Sequence, residues 1–211
     1  ISLGQGVNSL TVRAYDRYGN AVYQSISNTS ISADGATTIL GGKYTAGATG
    51  NRIELGAGAH HVNLSGISGN RTYAANVSMG AGGTDVQTLM VRGASNYLNY
   101  TGSDGADTLT MQGAVANSNI DLGKGVNTLE ATALNSRGAT VAYNITNTNI
   151  LADGATTITA GKYTAGAMGN RIELGEGSHT VTLAAVSGNR TYAAKVSLGA
   201  GGSDNQTLTV K

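Results

Sequence analysis

The chain repeats itself. Residues 1–92 align with residues 120–211 at a constant offset of 119 and without a gap, and 58 of those 92 pairs are identical. Thus "NRIELGAGAHHVNL" (51–64) returns as "NRIELGEGSHTVTL" (170–183). A shorter frame lies inside each copy: apolar-x-apolar-Gly-x-Gly, three residues, then apolar-x-apolar. It is carried by "ISLGQGVNSLTV" (1–12), "IELGAGAHHVNL" (53–64), "IDLGKGVNTLEA" (120–131) and "IELGEGSHTVTL" (172–183). "VSMGAGGTDVQTLMV" (77–91) and "VSLGAGGSDNQTLTV" (196–210) fit with two or three extra residues in the turn. "ISADGATTIL" (31–40), "GSDGADTLTM" (102–111) and "ILADGATTIT" (150–159) fit more loosely. The second turn glycine falls at 6, 35, 58, 82, 105, 125, 154, 177 and 201, so five units fill one 119-residue copy.

Two short alternating strands around a glycine turn cannot bury their apolar side chains alone, but stacked units can. The frame therefore predicts an all-β fold, a parallel β-solenoid (β-helix) of about nine rungs of about 24 residues. Residues 1–119 supply five rungs and 120–211 four, in one continuous solenoid. At about 4.8 Å per rung the rod is roughly 40 Å long. Helices are disfavoured, because glycine recurs through most of the chain and the i, i+3, i+4 pattern is missing. An antiparallel sandwich would not explain gap-free copies that divide into rung-sized units. In this frame Ile53 and Leu55 point inward, and Arg52 and Glu54 outward.

Composition agrees with thin stacked layers. Glycine is 32 of 211 residues, charged residues are 12%, and Pro, Cys, Phe and Trp are absent. The glycine share is about twice, and the charged share about half, that of ordinary globular chains. The net charge of +1, with no two basic residues adjacent, argues against a nucleic-acid footprint. No long apolar span is present, so membrane insertion is not expected. The chain starts at Ile1 without a visible signal peptide and reads as a piece of a longer or processed polypeptide.

Four kinds of candidate chemistry stand out. "GSDGADTLT" (102–110) resembles one nonapeptide of the calcium-binding RTX family, and "GAGGTDVQT" (80–88) and "GAGGSDNQT" (199–207) match it less well. That resemblance implies calcium as a cofactor, with Asp85, Asp104, Asp107 and Asp204 as ligands. Asp85 and Asp107, 22 residues apart, would stack in one turn column. The alternative reading is that these aspartates cap their own turns. Threonines recur on the second strand, as in Ser9/Thr11, Thr108/Thr110, Thr157/Thr159, Thr180/Thr182 and Thr207/Thr209. The pattern resembles ice-binding β-helical proteins, but Leu40, His61/Asn63, Met90 and Glu130 break it, and a threonine ladder between strands is the plainer account. Parallel β-helices also include polysaccharide-active enzymes, yet the twelve acidic residues are spread along the chain rather than clustered as a glycosidic site needs. No catalytic residue is assigned. His60, His61 and His179 are expected at outward or turn positions. In "SGNRTY" (68–73 and 187–192), Arg71 and Arg190 are expected in a solvated turn before a packed tyrosine.

Taken whole, the low-charge, Gly/Thr/Ser/Asn-rich and cysteine-free repeat resembles the repeat regions of bacterial secreted surface proteins: large adhesins, S-layer proteins and matrix filaments. The resemblance implies an extracellular or cell-surface module acting as a stiff spacer or fibre shaft. Its expected partners are copies of itself, side by side or end to end, and surface glycans. Ile1 and Lys211 fall inside the repeat frame, so the end rungs are expected to be covered by further repeats or by head-to-tail subunits.

Overall fold

The computed structural model describes residues 1–80, 83–199 and 204–211. It is a parallel β-solenoid of about eight turns with no helix among the described residues. Two long sheets run the length of the rod, one of eight strands and one of thirteen. The first face stacks Ile31–Ala33, Arg52–Leu55, Ala75–Met79, Leu98–Thr101, Asn119–Asp121, Asn149–Ala152, Arg171–Leu174 and Lys195–Leu198, all parallel. After the glycine turn the chain enters the second face. There, nine strands beginning at Asn8, Thr37, His60, Gln87, Asp107, Asn127, Thr156, His179 and Gln206 stack in register. A short third face, with Ile26, Tyr44, Ile67, Ser95, Val115, Ile145, Tyr163 and Val186 in one column, closes the cross-section.

Alternation decides which side chains enter the core. Along Arg52–Leu55 the order is exposed, buried, exposed, buried, so Ile53 and Leu55 lie inside as expected. The second-face column Ile39, Val62, Leu89, Leu109, Leu129, Ile158 and Val181 is fully buried. Each such side chain contributes about 1.5–3 kcal/mol on leaving water. Tyr44 and Tyr163, equivalent in the two copies, fill the third corner, and their hydroxyls donate to Thr29 O (3.1 Å) and Thr148 O (2.8 Å).

The register from Asn8 to Gln206 advances by 29, 23, 27, 20, 20, 29, 23 and 27 residues. Five steps make 119, as the frame requires. The glycine count differs at one place in each copy. The strand at Gln87 starts three residues later than a turn centred on Gly82 would allow, and Asp85 stands level with Gly58 and Gly105. Gly82 and Gly201 themselves lie outside the described residues.

The two 29-residue steps each hold an element the frame does not reveal, a short antiparallel hairpin. Arg13–Tyr15 pairs with Ala21–Tyr23, and Thr132–Leu134 with Thr140–Ala142. Asp16 and Asn135 fold the tips by accepting two backbone N–H groups each. The solenoid ladder resumes across the hairpin base, where Gln24 N–H donates to Val12 O and Gly42 N–H to Gln24 O. Only Ala14, Gly19 and Val22 recur between the two hairpins, at Ala133, Gly138 and Val141.

Gly35 and Gly154 show why the turn needs glycine. Their φ angles are +101° and +136°, and a Cβ would sit 2.3 Å from Gly6 O and 2.2 Å from Gly125 O in the rung above. Gly154→Ala therefore carries backbone strain of about 1–3 kcal/mol and a backbone clash besides. Gly138, at φ +75° in an open hairpin tip, has nothing within 4 Å. Urea melts should show Gly154→Ala losing at least about 2 kcal/mol. Gly138→Ala should lose about 1 kcal/mol.

Candidate functional site

The corner between the first and second faces is lined from inside by polar side chains. Asn8, Thr37, His60, Gln87, Asp107, Asn127, Thr156, His179 and Gln206 form one column, and those from Thr37 to His179 are buried. Apart from Asp107, their partners are inward-pointing carbonyls of the glycine turns, which buried polar groups must satisfy. Thr37 and Thr156 hydroxyls donate to Gly35 O and Gly154 O, each at 2.7 Å. His60 Nε2 lies 2.8 Å from Gly56 O and His179 Nε2 3.2 Å from Gly175 O, so in each ring Nε2 carries the proton. Gln87 Nε2 donates to Gly58 O and Asp85 O, and Gln206 Nε2 to Gly177 O. His60 and His179 are thus core residues rather than outward or turn ones; only His61 faces out. The signal was available in the sequence. The residue two positions after the second turn glycine is polar in every rung that keeps the simple frame, against the apolar expectation for an inward site.

Asp107 is the one carboxylate in this column. Its Oδ2 accepts from Ser103 N–H (2.7 Å) and its Oδ1 from Ser103 Oγ (2.9 Å). Burial pushes its carboxyl up to about 6, and the two Ser103 hydrogen bonds only partly offset that. Burial also raises the nearby Tyr100 hydroxyl, which has no hydrogen-bond partner, and the Asp107 charge adds to the shift.

The structure does not gather the four aspartates into one site. Register sets Asp107 opposite Gln87, not Asp85, so the stacked Asp85–Asp107 pair does not form. Asp85 Oδ2 accepts from Gly58 N–H (3.0 Å), and Asp204 Oδ2 from Gly177 N–H (3.2 Å). Both cap a turn, but it is the turn of the neighbouring rung rather than their own. Asp104 faces Lys124 at 3.7 Å. Among the described residues no three His, Cys, Asp or Glu side chains are grouped to hold a metal ion. Both Asp107 oxygens and one oxygen each of Asp85, Asp104 and Asp204 are engaged within the protein, and the four do not converge on one point, so they do not form the shared set of six to eight oxygens that calcium takes.

The outer surfaces are regular and weakly charged. On the first face Arg52–Glu54 (3.4 Å) and Arg171–Glu173 (3.1 Å) pair along their own strands, as exposed contacts worth little stability. On the second face one outward column reads Ser9, Thr38, His61, Thr88, Thr108, Thr128, Thr157, Thr180, Thr207. Arg71 lies in an exposed turn built on Asn70 Oδ1, as expected, but Tyr73 after it is exposed rather than packed. The first hairpin is the main aromatic projection, with Tyr15, Tyr18 and Tyr23 exposed and Arg13 and Arg17 over the first two rings.

No protein-family model, curated protein or solved structure matches the chain at a significant level. The functional reading therefore rests on the solenoid, its faces and its edges.

The lowered acidity of the buried Asp107 carboxyl gives a pH signature. The folded state holds the proton up to about pH 6, while the unfolded chain releases it near 3.9. Asp107 thus favours folding below about pH 4, and this contribution is lost as pH rises to about 6. The loss is about 3 kcal/mol at most. Denaturant titrations of wild type against Asp107→Asn, run between those pH values, should show this fall in wild type only.

Proposed function

We propose that the chain is a structural repeat module of an extracellular bacterial surface protein or filament, serving as a stiff spacer or fibre shaft. The supporting observation is the unbroken in-register ladder along the second face, which makes the protein a rod whose length grows by a fixed rise per turn. Such a body transmits position and load rather than enclosing a reaction. The low charge and repeating Ser, Thr and Asn on its faces suit lateral contacts with other copies and with surface glycans.

Edges support the self-association part of this reading. Asn8–Thr11 and Gln206–Val210 each pair with a strand on one side only, and Leu208 and Val210 are 46% and 50% exposed. Gln206–Val210 repeats the sequence pattern that Gln87–Val91 presents to the strand at Asp107. The edge is therefore chemically fit to take a further parallel strand, from continuing repeats or from a second copy. A contact of that kind is heterologous and propagates into a filament.

Negative-stain microscopy and sedimentation over a concentration series test this. Rods roughly 40 Å long per module, joined end to end as concentration rises, are expected. Leu208→Lys, which places a charge on the open edge, should leave the far-ultraviolet spectrum unchanged and abolish the joining. A compact monomer at all concentrations, with no end contacts, refutes the self-association.

A further inference from the structure

The two copies differ in a directed way on the outer side of the second face. Register assembles two outward columns there, and eight positions of the first copy have equivalents in the second. Six of those pairs differ, and in five of them the second copy carries threonine: Thr128, Thr159, Thr180, Thr182 and Thr209 replace Ser9, Leu40, His61, Asn63 and Met90. The interruptions that break the pattern in the sequence are therefore not scattered over the surface. All but Glu130 fall on three adjacent strands of the first copy, starting at Thr37, His60 and Gln87. From the strand at Asp107 to the one at Gln206, nine of ten outward positions are threonine.

Geometry makes this patch a lattice. Neighbouring strands repeat at about 4.8 Å, and outward residues along a strand at about 6.6 Å. Threonine is β-branched, so its methyl and hydroxyl are held in few orientations. Among the described residues, none of these outward hydroxyls hydrogen-bonds another protein group, in contrast to the inward Thr37, Thr148 and Thr156, whose hydroxyls are all engaged. The patch carries one charge, Glu130, and no aromatic ring. A rigid, two-dimensional grid of free hydroxyls and methyls gives a mobile solute no enclosed or charged anchor. It suits a partner that is itself periodic and presents hydrogen-bonding groups across a plane, as the surface of ice does.

We propose that the threonine face formed by the last strand of the first copy and the four of the second, from Thr108/Thr110 to Thr207/Thr209, is an ice-binding surface. Many weak, matched contacts made at once hold the crystal plane, because the ladder has already fixed the groups that meet it. Glu130 is the one misfit within the grid.

The full chain is tested for ice-crystal shaping and thermal hysteresis in dilute buffer, with circular dichroism as the folding control. Wild type should shape ice and show hysteresis. Thr157→Lys with Thr180→Lys, at exposed outward positions of adjacent strands, should lose both while keeping the melt. Ser78→Lys, on the first face, should keep both, and Glu130→Thr should raise the hysteresis. Folded wild type that neither shapes ice nor shows hysteresis overturns the proposal. So does full activity in the double lysine variant, or loss of activity in Ser78→Lys. Rods without ice activity would leave the spacer reading standing and remove this one.

Discussion

Parallel pairing in constant register is the constraint on which the rest of the protein depends. Once the strand at Thr37 is hydrogen-bonded to the strand at His60 with no slip, every side chain lies over its equivalent in the next turn. A chemical preference at one position then becomes a column. Apolar residues become a continuous core, polar inward residues become a buried lining, and outward threonines become a grid. A slip of one residue would turn Ile39 outward and Thr38 inward, exchanging core for surface along the rod.

The same constraint creates the molecule's main difficulty, the turn. Stacking turns at strand spacing brings backbone against backbone, which is why Gly154 meets Gly125 with no room for a side chain. It also aims turn carbonyls into the rod. The inward polar column answers that need with different groups of similar reach: hydroxyls at Thr37 and Thr156, imidazoles at His60 and His179, amides at Gln87 and Asn127. Asp107 is the exception in kind. A carboxylate cannot donate to a carbonyl, and here it accepts from Ser103 instead, reversing the direction of the bonding. Ser103 stands where a simple frame would place the first turn glycine, so the two departures form one local substitution.

Variation between the copies is greatest in the hairpins and at outward positions, while inward changes such as Ile67 to Val186 and Met79 to Leu198 stay apolar. The hairpins at Arg13–Tyr23 and Thr132–Ala142 leave the rod where the second face ends, and the backbone bonds at Gln24 and Tyr143 close the gap behind them. Their sequences diverge between the copies because neither packs into the column. The outward positions of the second face are equally free of the core, and there the divergence runs toward threonine. The inward columns hold the rod together, and the outward columns are where the two copies are free to differ.

Much of this was legible in the sequence. The 119-residue offset, the Gly-x-Gly frame and strict alternation determine the solenoid, the inward Ile53 and Leu55 and the outward Arg52 and Glu54, because period and alternation are local properties of a strand. The structure alone decided three things. It put Asp107 beside Gln87 rather than Asp85, since insertions in the turn shift register by amounts no single rung displays. It buried His60 and His179, since their carbonyl partners belong to turns whose orientation only the stacked backbone sets. And it gathered Leu40, Asn63 and Met90 onto adjacent strands, leaving the threonines of the second copy unbroken but for Glu130, because residues 20 to 29 apart in the chain become neighbours only when the turns are laid over one another.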